Sequence, residues 1–404
     1  MNCLIEWQNV LQLVQIKMTC SMKQAFNQRI SSALNQRKQA GLNRSRRVVS
    51  QGNQATLVVD GKSYLNFSGN DYLGLASSKE LMEAWQEGLS LYGSGSGASP
   101  LVTGYSKPHA NLESQLAEWL GLDCAILFNS GFSANQAVLF SLLEKGDTLL
   151  QDKLNHASLM EAGMLSPAVM KRFKHNDVDH LKSLLKRSSD EPTLVVTEGV
   201  FSMDGDLSPL ADIAKLTKEN DAWLMVDDAH GCGVLGTNGK GCCDVYSITP
   251  DILIVTFGKG FGLSGAAVLC NQECGDYLSQ FARHHVYSTA MPPAQAHALS
   301  HALLMIQQQE WRRDKLKELN QQFESELMNF LGAEKTPTPI KPIIIGEATD
   351  AMILADSLKE RGLWTTAIRP PTVPVGSARI RVTLSANHSS ADISALTQAI
   401  NELG

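Results

Sequence analysis

Lys259 sits in "TFGKGFGLSGAAV" (256–268), just past the apolar run "DILIVTF" and in a loop too rich in glycine to bury it. A lysine so placed can form a Schiff base with a carbonyl ligand. The same stretch spells G-x-G-x-x-G through Gly260, Gly262 and Gly265, a pattern that elsewhere holds a dinucleotide pyrophosphate. That fingerprint should open a helix, with an acid about 20 residues on. Here "AAVLC" reads as a strand, and "FARHHVY", at the expected distance, holds no acid. Nor is it a Walker loop, since Gly260 and not Ser or Thr follows the lysine. The glycines are expected to let the backbone clear a bound cofactor.

Other reactive types end the neighbouring apolar runs. "AWLMVDDAH" delivers Asp227 and Asp228, then His230. A carboxylate after four apolar residues is costly unless it meets a cation or donors. "CAILF" runs into Asn129-Ser130-Gly131-Phe132 at the start of a helix. Free N–H groups and the positive dipole end suit a phosphate there, although Ser130 would serve equally as an ordinary N-cap. "DTLLQD" leads to Asn155-His156, "TLVVTEGVF" to Ser202, and "DILIVTFGK" carries Thr256 as well as Lys259. A structural Asp–Lys ion pair would explain Asp227 and Lys259 alone. Pyridoxal 5′-phosphate (PLP) accounts for the whole set: its aldehyde takes a lysine, its ring nitrogen a carboxylate, its phosphate a helix N-terminus and hydroxyls.

Short apolar strands alternate with amphipathic helices from "HANLESQLAEWLG" to "GAAVLC". This predicts an α/β fold, a mostly parallel sheet with helices on both faces and ligands outside the strands' carboxyl ends. "TLVVDGKSYLNF" reads as a hairpin about Asp60-Gly61, and "LYGSGSGASPLVTGY" as either a connector or an active-site loop. From about residue 293 the pattern becomes long helices and then a smaller α+β unit. The expected divisions are an extension at 1–21, a helix and hairpin at 22–66, a large cofactor-binding domain at 67–295, and a small C-terminal domain at 296–404.

A net charge of −6 points away from nucleic acid and anionic membranes. Eight cysteines without a C-x-x-C pair read as reduced thiols of a cytoplasmic protein, with no metal site expected. No apolar run reaches the ~18 residues of a membrane span. The N-terminus has no basic segment or cleavage site, so no signal peptide is expected.

With these residues in view, the chain resembles the α-oxoamine synthases, a family of fold-type-I PLP enzymes, over about residues 22 to 404. The resemblance rests on "NDYLGL" (70–75), "HNDVDHL" (175–181), "TEGVFSMDGD" (197–206), "VDDAHGCGVLG" (226–236), the Lys259 stretch, "YSTAMPP" (287–293) and "RPPTVPVGSARIR" (369–381). It implies that Lys259 carries the cofactor and acts as general base. Asp227 would pair with the ring nitrogen, His156 stack on the ring, and His230 and Ser202 lie at its phenolic oxygen. Thr256, Gly131 and Phe132 would hold the phosphate, joined by Ser288 and Thr289 of a second subunit, which implies a homodimer. Arg381 resembles the arginine that binds the amino-acid carboxylate; Arg44, Asn70 and Thr372 resemble substrate-contacting positions. "FGKGFGLSGAAV" favours the branch that joins L-alanine to a pimeloyl thioester, on coenzyme A or acyl carrier protein, in biotin biosynthesis. A sister synthase using glycine, or a non-catalytic subunit of the same fold, would share most of these residues.

Overall fold

The computed structural model describes residues 24–188, 190–327, 330 and 332–403. The extension expected at 1–21 therefore lies outside the described residues. The chain divides into two compact units, the first ending at Val48 and the second beginning at Val49. In the first, residues 24–39 form a helix, as the sequence predicts.

The second unit opens with β1 (Val49–Gln51), β2 (Thr56–Val59) and β3 (Lys62–Asn66), paired antiparallel in that order. Asp60 and Gly61 at the β2–β3 turn have φ of +50° and +75°. Two left-handed residues match the twist of a tight hairpin.

The central sheet consists of β4 (Cys124–Phe128), β5 (Thr148–Asp152), β6 (Val169–Phe173), β7 (Thr193–Glu198), β8 (Trp223–Asp227), β9 (Ile252–Thr256) and β10 (Ala266–Cys270). Their order is β4-β10-β9-β8-β7-β5-β6. Pairing is parallel except at β10, which runs antiparallel to both β4 and β9. Helices cover both faces, so alternate residues serve two cores. Along β9, Ile252 and Ile254 join one core and Leu253 and Val255 the other. A strand buried on both sides must read as a continuous apolar run, and "ILIVT" does.

The C-terminal part adds β11 (Ile340–Gly346), β12 (Leu363–Trp364), β13 (Thr366–Ile368) and β14 (Ala378–Thr383). β14 lies between β11 and β13, and β12 extends the hairpin sheet by pairing parallel to β3. Among the described residues no helix is long and apolar enough to cross a membrane.

Several elements escape the sequence pattern. The helix Ala157–Leu165 is capped by His156, not by a Ser or Asp. The strand β6, "VMKRF", is the half-exposed edge of the sheet, where charge guards an open edge and breaks the apolar run. A π-helical turn, Pro100–Gly104, lies inside the glycine-serine stretch.

The glycines around Lys259 stand where other parts of the chain approach closely. A Cβ on Gly262 (φ +68°) would stand 2.4 Å from the Ala76 nitrogen. On Gly260 it would stand 2.9 Å from the Cys232 carbonyl oxygen, and on Gly265 (φ +105°) 2.5 Å from Met291 Cε. They clear neighbouring protein, and the loop packs down so that Phe261 is fully buried and Lys259 half-buried. Gly262→Ala should cost roughly 1–3 kcal/mol for a strained backbone, read as a fall in Tm; an unchanged Tm would remove this packing role.

Candidate active site

The parallel strands end on one edge, and the candidate residues gather there. Asp227, the last residue of β8, is only 5% exposed. Its Oδ2 accepts from Asn135 Nδ2 at 2.7 Å and its Oδ1 from the Ala229 N–H at 3.1 Å. Asn135 projects from the helix Gly131–Leu142, and Nδ2 also donates to Ser158 Oγ at 2.9 Å. Ser158 Oγ in turn lies 2.8 Å from His156 Nδ1. Helix, carboxylate and histidine thus share one network. Burial raises the Asp227 carboxyl pKa, against the Asn135 bond and the charges of His156 and Lys259. Asp228 turns away from this group. It is fully buried, accepts from the Cys242 N–H at 2.7 Å, and is pushed up to about 7 by burial.

Directly opposite Asp227 in the sheet register stands Glu198, the last residue of β7. It is buried and accepts from the His156 N–H at 2.5 Å. Burial, then the neighbouring Asp227 charge, push its carboxyl well above the usual range. Burial lowers the Lys259 ammonium pKa; Asp227 and Glu198 pull it up and Arg381 pushes it down.

His230 is buried, with Nδ1 2.7 Å from the hydroxyl of fully buried Tyr72. Burial, then the charges of Lys259 and Arg381, hold its pKa well below the ordinary value. The ring is therefore neutral, with one N–H to direct.

Arg381, on β14, is 7% exposed. Its Nε donates to the Ser202 carbonyl at 2.6 Å, both terminal nitrogens lie 3.3 Å from Asn70 Oδ1, and Nη2 lies 3.5 Å from the Tyr72 hydroxyl. All of these partners are neutral. Arg379, two residues away, is instead ion-paired with Asp204.

At the end of β4, Ser130 Oγ caps the helix by accepting from the Ser133 N–H at 3.1 Å. A Cβ on Gly131 would lie 2.6 Å from Thr256 Cγ2. Thr256 Oγ1 is buried without a partner among the described residues. The Phe132 ring stands edge-on to His156 at 6.5 Å. Asn129 Nδ2 donates to the Thr289 carbonyl at 2.9 Å, so the Ser288-Thr289 segment runs beside its own chain's cradle. Thr372 is exposed in the turn after β13, with its N–H on the Arg369 carbonyl at 3.1 Å. Arg44 belongs to the first unit.

Tyr72, Asn135, Ser158 and Glu198 were not singled out by sequence. Tyr72 and Glu198 lie inside quoted motifs. Glu198 ends an apolar strand as Asp227 does, a signal that was available.

A model of the aminotransferase class I and II family matches residues 62–400. An 8-amino-7-oxononanoate synthase from Aliivibrio fischeri (strain MJ11) is 98% identical over 383 residues, 95% of this chain and 100% of that one. The chain belongs to the 8-amino-7-oxononanoate synthase family. Among solved structures, the synthase of Francisella tularensis superposes with a TM-score of 0.74 at 31% identity, over 84% of this chain and 97% of that one. A serine palmitoyltransferase from S. paucimobilis, solved with a bound PLP–myriocin aldimine, gives a TM-score of 0.86 at 25% identity, over 93% and 97%. Family membership makes this chain a PLP-dependent acyltransferase of biotin biosynthesis.

The residues fit that cofactor. The unpartnered Thr256 hydroxyl, the space kept open at Gly131 and the first-turn N–H groups suit a phosphate. The buried Asp227 carboxylate suits a protonated ring nitrogen. Asn135→Ala should destabilise the apoprotein by roughly 1–3 kcal/mol, because Asp227 loses a donor in a buried site. Chemical denaturation measures this; an unchanged midpoint would show that Asn135 does not support the carboxylate.

Proposed function

We propose that the protein condenses L-alanine with a pimeloyl thioester, giving 8-amino-7-oxononanoate, CO2 and free thiol. The observation that carries this is Arg381, a nearly buried guanidinium whose hydrogen-bond partners among the described residues are all neutral, at the same edge as Lys259 and Asp227. A buried cation of this kind calls for an anion, and a guanidinium matches a carboxylate with two parallel hydrogen bonds.

In this reading Lys259 would hold the aldehyde carbon of PLP, Asp227 its ring nitrogen, and His156 one face of its ring. His230 and Ser202 would meet its phenolic oxygen. Thr256, Gly131 and Phe132 would hold the phosphate, with Ser288 and Thr289 of a second protomer of a homodimer. Bound there, PLP supplies an electron sink for charge developing at the amino-acid Cα.

The remaining work falls to side chains. Arg381 and Asn70 grip the alanine carboxylate and so fix the direction of the Cα–H bond. Arg44 and Thr372 are assigned to substrate contacts. Lys259, its pKa lowered by burial, takes the Cα proton and later returns one. Neutral His230 donates its N–H without adding positive charge near the lysine. The acyl carrier is coenzyme A or an acyl carrier protein, since both present a thioester.

Steady-state assays pairing alanine, glycine and serine with pimeloyl and shorter acyl thioesters test the substrate assignment; preference for glycine would move the chain to a sister activity. Arg381→Ala should lower kcat/KM for alanine by about 2–5 kcal/mol of transition-state stabilisation. Arg381→Lys should recover only part of this, because an ammonium lacks the fork. An unchanged value in Arg381→Ala would overturn the carboxylate assignment. Lys259→Ala should keep its fold and lose at least roughly 10²–10⁴ in rate; near-normal turnover would refute the lysine's role.

A further inference from the structure

A second charged cluster lies beneath the loop that follows β7. His175 places Nδ1 3.1 Å from Asp152 Oδ1 and Nε2 2.8 Å from Asp206 Oδ2. A neutral imidazole has one N–H and could donate to only one of them. Two carboxylates on opposite sides therefore favour the imidazolium. Burial lowers its pKa, but the bonds to Asp152 and Asp206 outweigh that and bring it to about 9. Asn176 repeats the bridge. Its N–H donates to Asp152 Oδ2 at 2.9 Å, and its side-chain amide to Asp206 Oδ2 at 2.8 Å and the Leu207 carbonyl at 3.1 Å. The Phe201 ring stands perpendicular to the imidazole, centroids 4.4 Å apart.

The two carboxylates belong to different parts of the site. Asp152, fully buried, ends β5 four residues before His156. Asp206 closes the loop after β7, where the Phe201 N–H donates to its carbonyl at 3.0 Å. The far side of that loop meets β14, Ser202 through its carbonyl to Arg381 and Asp204 through its ion pair with Arg379.

We propose that His175 is a positioning residue for amino-acid binding: clamped between Asp152 and Asp206, it holds the loop whose Ser202 carbonyl aims the Arg381 guanidinium. This rests on Arg381 being the carboxylate site. The charged groups around the clamp are Asp152 from β5, Asp206 from the loop, and Glu198 from β7, which feels both aspartates; Asp204 is taken by Arg379. The His175 pKa is raised above its ordinary 6.5. The clamp therefore contributes fully below that value and is lost as pH rises through about 9.

The test uses the holoenzyme and the variants His175→Asn, Asp206→Asn and Arg381→Ala. L-Alanine affinity is read from the change in the cofactor's visible absorbance without thioester, and KM for each substrate from turnover. A small misplacement of the guanidinium should weaken alanine binding and raise its KM on the order of 10- to 100-fold in His175→Asn, with the thioester KM unchanged. Wild-type kcat/KM for alanine should fall above about pH 9; Asp206→Asn should move that fall to lower pH, and His175→Asn should abolish it. Should His175→Asn fail to fold, the pH shift in Asp206→Asn decides alone. Normal alanine affinity in His175→Asn, or no shift in Asp206→Asn, overturns the proposal. If Arg381→Ala also binds alanine normally, the carboxylate assignment fails with it; if only Arg381→Ala is impaired, the clamp alone is wrong.

Discussion

The site depends on keeping one carboxylate buried at the end of β8. Asp227 can stay charged there only if donors and cations reach it. Asn135 comes from one helix, and the His156 charge from the start of another. Lys259 comes from the loop after β9. The parallel sheet makes this possible, because it delivers successive strand ends to one edge. Glu198 beside Asp227 sharpens the constraint. Two buried carboxylates on adjacent strands cannot both ionise easily. The raised Glu198 pKa leaves the negative charge to Asp227, the residue with the better donors.

A second balance operates around Arg381. Arg379 and Arg381 share a strand and a face, yet one is neutralised by Asp204 and the other is not. An arginine held by a backbone carbonyl and a carboxamide keeps its orientation and its unmet charge together. Tyr72 links this arginine to His230 through a single hydroxyl. The arginine proposed to bind a substrate carboxylate and the histidine proposed to face the cofactor are thereby parts of one hydrogen-bonded group.

Much of this was legible in the sequence. Short apolar runs between helices gave six of the seven strands of the sheet, and the residues at or just past their ends gave Lys259, Asp227, His230 and Thr256. The reversed direction of β10 was not legible, because an apolar run carries no sign of its neighbours' direction. The edge strand β6 was not legible either, since its charges break the pattern that marks a strand. The contacts of Asn135, Tyr72 and His175 depend on residues far away in the chain, so their neutral or single-residue appearance gave no signal. The glycines at 260, 262 and 265 signalled close approach, and neighbouring protein atoms do approach each of them.

The reversed strand has a consequence for how the site comes apart. Because β10 folds back on β9, Lys259 is framed by a pairing between neighbours in sequence, with Thr256 opposite Ala266. Other bonds of the site span long stretches of chain: Asn135 and Asp227 are 92 residues apart, and Asn70 and Arg381 are 311 apart. Proteins open locally, in contiguous cooperative units, as well as globally. Release of β14 alone would remove the Arg381 guanidinium while leaving the lysine loop and the Asp227 network in place. The guanidinium and the lysine thus hang on different sheets of one compact unit.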